Sequence, residues 1–197
     1  MGLCIWVDCD EVLSETIDEL LKRPPLSEKK VKKSDIYSYY FADVKELDMT
    51  HEDSMQAFNS FFRSPDYLLT QPVLWAYEKL SQRKDAWYEL YVVTARPFEF
   101  EKITRQRVET HFPWIFSDFL FMNIYTDNEV PKSVLCQQKW IQLLIDDNIS
   151  NIIWVNELWI PWFLLDKPRN QNEQDSELFK RVYFRDEIEL SALFKDL

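Results

Sequence analysis

The sequence predicts an open α/β sandwich, a parallel sheet between two layers of helices, and three observations carry that prediction. Short apolar strands alternate with amphipathic helical stretches along most of the 197 residues, the pattern of a parallel sheet with crossover helices. Four of those strands run out into polar or ionisable groups: Asp8/Asp10, Thr94, Asp146/Asp147 and Asp166. Residues 14–72, between the first strand and the next α/β element, are mostly helical in pattern and rich in tyrosine. They read as a small unit inserted into a core made of residues 1–13 and 73–197.

The first strand is Ile5-Trp6-Val7, an apolar run of the kind buried on both faces of a parallel sheet. Asp8 and Asp10 follow at alternate positions, so they point the same way while Cys9 points elsewhere. Two carboxylates held together repel unless a cation lies between them, and a hard divalent ion such as Mg²⁺ prefers oxygen ligands. A lone Asp-x-Asp is nevertheless often no more than a solvated turn.

Val12 to Leu21 carries apolar residues at helical spacing and stops at Pro24-Pro25. The lysine-rich run Glu28 to Lys33 reads as a solvated face. Thr50 and Asp53 make a capping box for a helix reaching Phe62, and Ser64-Pro65 breaks it. Pro72 to Lys84 reads as an amphipathic helix resting on Val73, Leu74, Tyr77 and Leu80. Strands are expected at Leu90–Val93, within Phe119–Phe121, and at Leu143–Ile145, Trp162–Leu165 and Arg181–Phe184. Helices are expected over Glu99–His111, Lys132–Lys139, Ile149–Glu157 and Glu187–Asp196, with a loop over Lys167–Glu177.

Composition excludes several classes. A formal net charge of −11 argues against binding a nucleic-acid polymer, which needs clustered Lys and Arg. A single glycine, Gly2, excludes glycine-rich phosphate loops. Three cysteines set among apolar or motif residues suit free thiols in a reducing compartment. No signal peptide and no bilayer-length apolar run is read, so a soluble, cytoplasmic protein is expected.

In open α/β sheets ligands sit outside the carboxyl ends of the strands, and Lys132, one helix before the Asp146 strand, can return to that rim. Such a set suits phosphoryl transfer. One carboxylate attacks phosphorus and a second hands a proton to the leaving oxygen. A hydroxyl and an ammonium hold the phosphoryl oxygens, and Mg²⁺ offsets the accumulated charge.

The order Asp-x-Asp, Thr, Lys, Asp-Asp resembles the haloacid dehalogenase-like (HAD) hydrolase superfamily. The segments Val92-Val93-Thr94-Ala95-Arg96-Pro97, Lys132-Ser133-Val134-Leu135-Cys136, Leu144-Ile145-Asp146-Asp147-Asn148 and Ile160 to Asn170 resemble its 5′(3′)-deoxyribonucleotidase-type branch. The resemblance implies a Rossmann-like three-layer core with a small helical cap after the first strand. It implies Asp8 as nucleophile and Asp10 as general acid/base with its main-chain carbonyl on the metal. Thr94 and Lys132 would hold phosphate, and Asp146, supported by Asp147, would ligate Mg²⁺. The substrate would be a nucleotide or another small phosphate ester.

Glu11 departs from that pattern, because the superfamily usually has glycine directly after the second aspartate. A third carboxylate costs Coulomb energy unless it turns away, and a Cβ restricts the backbone there. An alternative reading follows, a binding or regulatory protein that kept the fold and lost turnover. A third, the Asp-x-Asp of a sugar-nucleotide glycosyltransferase, leaves Thr94, Lys132 and Asp146 without roles. Bland readings exist for single residues. Thr94 could be a helix N-cap, Lys132 a surface lysine, Arg96 and Arg169 structural ion pairs, and Tyr37, Tyr39, Tyr40 and Phe41 the insert's own core.

Overall fold

The computed structural model describes residues 4–124, 126–132, 134–135, 141–151, 160–171 and 179–182. Its strands are β1 (Cys4–Asp8), β2 (Glu89–Thr94), β3 (Asp118–Phe121), β4 (Leu143–Asp146), β5 (Trp162–Leu165) and β6 (Phe179–Val182). They form one sheet in the order β3-β2-β1-β4-β5-β6, with every pairing parallel. The chain steps outward from β1 to β3, then crosses back to the other side of β1 for β4. That reversal, between β1 and β4, is where open sheets of this kind open a ligand crevice. Val7 pairs with Ile145, so Asp8 and Asp146 end neighbouring strands side by side.

Period-two alternation sorts the strand residues onto two apolar faces. Ile5, Val7, Leu90, Val92, Leu143, Ile145 and Phe163 pack on one side with Val108 and Phe112. Cys4, Trp6, Val93, Leu144 and Leu164 pack on the other with Ile141. Each fully buried aliphatic side chain contributes about 1.5–3 kcal/mol, and no residue of β1 is exposed. The strand that ends in Asp8 is therefore held rigidly from both faces.

Between β1 and β2 lie α1 (Thr16–Leu21), α2 (His51–Arg63), several short 3-10 turns and α3 (Ala76–Asp85). A third apolar cluster sits there, formed by Ile17, Leu20, Leu26, Ile36, Phe41, Val44, Leu47, Phe61, Phe62 and Tyr67, with Phe100 added. The α2 capping box forms as expected, Thr50 Oγ1 accepting from Asp53 N at 3.1 Å and Asp53 accepting from Thr50 N at 3.0 Å. Ser64 ends that helix and accepts from Asp66 N. α4 (Glu101–His111) follows β2.

Four expectations shift. The first helix begins at Thr16, because Glu11 takes a left-handed φ of 64° and Leu13 N and Ser14 N both turn back to Cys9 O. α3 begins at Ala76, since Pro72 and Val73 pair with Ser14 and Leu13 instead, and Leu74 is 92% exposed rather than part of the apolar stripe. Lys33 is not a solvated lysine, because Glu11, Glu15 and Asp18 surround its ammonium. The last strand lies two residues earlier than expected, at Phe179–Val182. Lys132, Val134 and Leu135 are helical, as are Ile149, Ser150 and Asn151. The remainder of those two helices, most of the loop after Gln171 and the helix expected at 187–196 lie outside the described residues.

Candidate active site

Asp8 ends β1 and Asp146 ends β4, while Lys132 reaches the crevice from the helical turn before β4. The buried Lys132 ammonium donates to Asp8 Oδ1 at 2.8 Å and to Asp146 Oδ2. Asp146 also accepts from Asn148 N and from the Asn151 amide, each at 2.8 Å. Asp147 turns to Arg169, whose Nε donates at 2.7 Å. The Asp147 carbonyl accepts from Tyr39 Oη and, at 2.9 Å, from Asn170 Nδ2. Arg169 lies over the Tyr39 ring, 4.1 Å from its centroid. Thr94 closes β2 one residue past Val93, the partner of Asp8, and is buried.

The electrostatics follow from crowding. Burial pushes the Asp8 carboxyl up to about 8, with Lys132 opposing and Asp146, Asp147 and Asp10 adding to the rise. Burial likewise lifts Asp147 to about 6, opposed by Arg169 and reinforced by Asp146 and Glu11. Burial alone would lower Lys132, but the Asp146 and Asp8 carboxylates outweigh it and hold the ammonium charged. Oxygen atoms of Asp8, Asp146 and Asp147 lie within 4.8 Å of one another. Three carboxyl groups meeting in a buried crevice, two of them pushed up by burial and by one another, offer the oxygen ligands of a hard divalent ion, which would favour their ionised forms.

Asp10 is in a different situation. Its two oxygens accept from Arg96, Nε at 3.0 Å and Nη2 on the other oxygen, and Thr16 Oγ1 adds a bond. Burial works against ionisation here, yet Arg96 and the hydrogen bonds from Arg96 and Thr16 hold the carboxyl below its usual range. The Arg96 guanidinium is enclosed by Tyr67 Oη, Thr104 Oγ1 at 2.9 Å, and the rings of Phe62 and Tyr67 at 4.1 and 4.7 Å.

Glu11 resolves its own conflict by turning to lysines. Its Oε1 accepts from Ile17 N at 2.8 Å, and its Oε2 lies 2.7 Å from Lys33 Nζ and 3.6 Å from Lys167 Nζ. The carboxylate that threatened the site is neutralised and ties α1 to the turns around Lys33 and Lys167.

The structure thus brings Asp8, Lys132, Asp146 and Asp147 into one cluster, with Asp10 and Thr94 on the same rim. Arg96 and Arg169 are both ion-paired, as the bland reading had it, but to Asp10 and Asp147. Of the four aromatics, Phe41 is core, Tyr37 and Tyr40 are exposed, and Tyr39 alone reaches the crevice. Cys9 is buried and its thiol is pushed by burial up to about 11, which rules against a nucleophilic role. Sequence reasoning gave no role to Thr16, Asn151, Lys167 or Asn170, and it read Tyr39 only as part of the insert's own core. Lys167 and Asn170 sat inside a segment singled out for its pattern, whereas Tyr39 carried no signal beyond its tyrosine-rich surroundings.

No protein-family model and no curated protein matches the chain. Solved structures do. A predicted phosphatase from Clostridium acetobutylicum is similar with a TM-score of 0.56 and 16% identity, over 84% of this chain and 85% of that one. A conserved haloacid dehalogenase-like protein of unknown function from Agrobacterium tumefaciens gives 0.57 and 11%, over 84% and 83%. A HAD-superfamily hydrolase of subfamily IA, variant 1, from Geobacter sulfurreducens gives 0.53 and 13%, over 86% and 97%. At such identities the likeness establishes the fold, which is that of HAD-superfamily hydrolases.

Proposed function

We propose that the chain is a Mg²⁺-dependent phosphomonoesterase that works through an aspartyl-phosphate and acts on a nucleotide or another small phosphate ester. The observation that carries this is Lys132, whose ammonium bridges Asp8 and Asp146 at the switch point of the sheet. Asp8 Oδ attacks phosphorus and the bond to the leaving oxygen breaks, that oxygen taking its proton from Asp10. Water then attacks the acyl-phosphate, gives its proton to Asp10, and releases phosphate as the P–O bond to Asp8 breaks. Thr94 and Lys132 hold phosphoryl oxygens. Asp8, Asp146 and the main-chain carbonyl of Asp10 would hold Mg²⁺, with Asp147 behind them. When bound, the ion offsets charge on the phosphoryl group and on Asp8.

Residues 14–72 act as a small cap that selects the substrate, a role supported by their separate apolar cluster and by Tyr39 reaching the crevice. Buried free thiols at Cys4 and Cys9 suit a reducing cytoplasm. Among the described residues no helix is long and apolar enough to cross a membrane.

A second reading, a phosphate-binding protein with feeble turnover, draws on Asp10, whose oxygens are taken by Arg96 and Thr16 and which is held ionised. One experiment separates the two. Purified protein is assayed with Mg²⁺ against a phosphomonoester panel, wild type beside Asp8→Asn. The enzyme reading expects release of phosphate by wild type, a fall to background in the variant, and beryllofluoride binding by wild type alone. A flat panel with intact phosphate binding would leave only the binding protein.

A further inference from the structure

Arg107, on α4, is fully enclosed and has no carboxylate partner among the described residues. Its Nη2 donates to the carbonyls of Thr70 and Gln71 at 3.0 and 3.1 Å. Its Nε and Nη1 are buried and meet no acceptor there. The surroundings are the junction where residues 14–72 leave and rejoin the sheet. Val73 N donates to Leu13 O at 3.1 Å and Glu15 N to Gln71 O at 3.0 Å, so the outgoing and returning chains run side by side. Each carries a buried hydroxyl without a partner among the described residues, Ser14 Oγ on one and Thr70 Oγ1 on the other.

The charge count points the same way. The ionisable groups that act most strongly on Arg107 are Tyr67, Cys9, Arg96 and Asp10. Asp10 is already bound by both arms of Arg96. A thiol and a phenol ordinarily carry no charge at pH 7. Two guanidiniums therefore share one carboxylate, and one positive charge remains in an enclosed space. Burial lowers the pKa of Arg107, yet an arginine keeps its proton at neutral pH. The leftover charge also reaches His111, one turn along α4, where burial and Arg107 together favour the neutral imidazole. A water molecule would accept some of these bonds but cancel no charge, and unpaired buried charge is strongly unfavourable.

We propose that this junction binds a small monovalent anion of halide size, held by Arg107 Nε and Nη1 and by the hydroxyls of Ser14 and Thr70. Enclosure excludes ligands the size of a nucleotide or sugar phosphate. The anion fastens both connecting chains to α4 and so steadies residues 14–72 against the sheet.

The test needs neither Mg²⁺ nor substrate, so its outcome is independent of the phosphatase reading. Thermal unfolding of the full chain is followed at fixed pH and ionic strength while sodium glutamate is exchanged for sodium chloride, then for bromide. The expected result is a saturable rise in Tm of several degrees with either halide, retained in Asp8→Asn and lost in Arg107→Met. Should Arg107→Met not fold, the double variant Ser14→Ala, Thr70→Val keeps the charge and is expected to shift the halide midpoint upward several-fold. A bromide-soaked crystal is expected to show an anomalous peak within hydrogen-bonding reach of Arg107. Identical Tm in chloride and glutamate, an undiminished halide response in the folded variants, or a water without anomalous signal beside Arg107 would overturn the proposal.

Discussion

At the scale of the residue, Glu11 shows how far a single position can be read without its partners. The sequence shows the cost of a third carboxylate but not its remedy, because Lys33 and Lys167 are 22 and 156 residues away and nothing local links them. The same distance hides the pairing of Arg96 with Asp10. Asp8, Thr94 and Asp146 were legible because each ends an apolar strand, and Lys132 because a single expected helix separates it from the Asp146 strand. Glu11→Gly would relieve a left-handed backbone that costs a residue with a Cβ roughly 1–2 kcal/mol. It would also leave Ile17 N without the carboxylate it donates to and remove one carboxylate from beside Lys33 and the buried Lys167, and breaking a buried pair costs about 3–5 kcal/mol. Lys33 keeps Glu15 and Asp18, which softens the loss. The expected net effect in urea unfolding is a destabilisation of about 1–3 kcal/mol, with Glu11→Gln intermediate. A stabilised Glu11→Gly protein would show that the lysine contacts contribute little.

At the scale of the element, strands and long helices were legible because apolar periodicity is local, while their starts were set by contacts the periodicity does not contain. Leu74 fits the helical stripe in sequence but stands outside it, since Pro72 and Val73 are paired with the outgoing chain. The near absence of glycine has its clearest effect where α3 ends. Tyr88 N donates to Arg83 O at 3.2 Å and Trp87 N to Lys84 O at 3.1 Å, the double closure that normally has glycine at the left-handed position. Here that position is Trp87, at φ 68° and 86% exposed. The indole buries little that would be lost on its removal. Trp87→Gly should therefore stabilise the protein, by about 0.5–1 kcal/mol once the greater freedom of glycine in the unfolded chain offsets part of the relieved strain. A rise in the urea midpoint at unchanged slope checks it. A lower midpoint would mean that the exposed indole makes contacts of its own.

At the scale of the whole molecule, the chain carries a formal net charge of −11 and concentrates three buried carboxylates at one crevice. Its composition argues against polymeric nucleic acid as a partner, while the alternation of strands and helices gave the sheet and the place of the crevice. Neither could give the crowding of carboxyl groups, because Asp8, Asp146 and Asp147 meet Lys132 and Arg169 only once β1, β4 and the turn at Lys167–Asn170 are assembled. Folding therefore works against its own site until a cation arrives, and a cation that binds only the native state should stabilise it by mass action. With free Mg²⁺ at about 100 times its dissociation constant the gain is about 2.7 kcal/mol, or roughly 5–10 °C in Tm for a chain of this size. Asp146→Ala removes one ligand oxygen and also one partner of Lys132, so its Tm without metal should already be lower than that of wild type. The decisive quantity is the difference that Mg²⁺ makes, which should nearly vanish in the variant while surviving in Glu11→Gly, whose change lies on the lysine side. Sodium glutamate at the same ionic strength screens general surface charge and isolates the specific effect. If wild type and Asp146→Ala gain the same number of degrees from Mg²⁺, the ion does not sit between Asp8 and Asp146, and the metal assignment fails even if the fold stands.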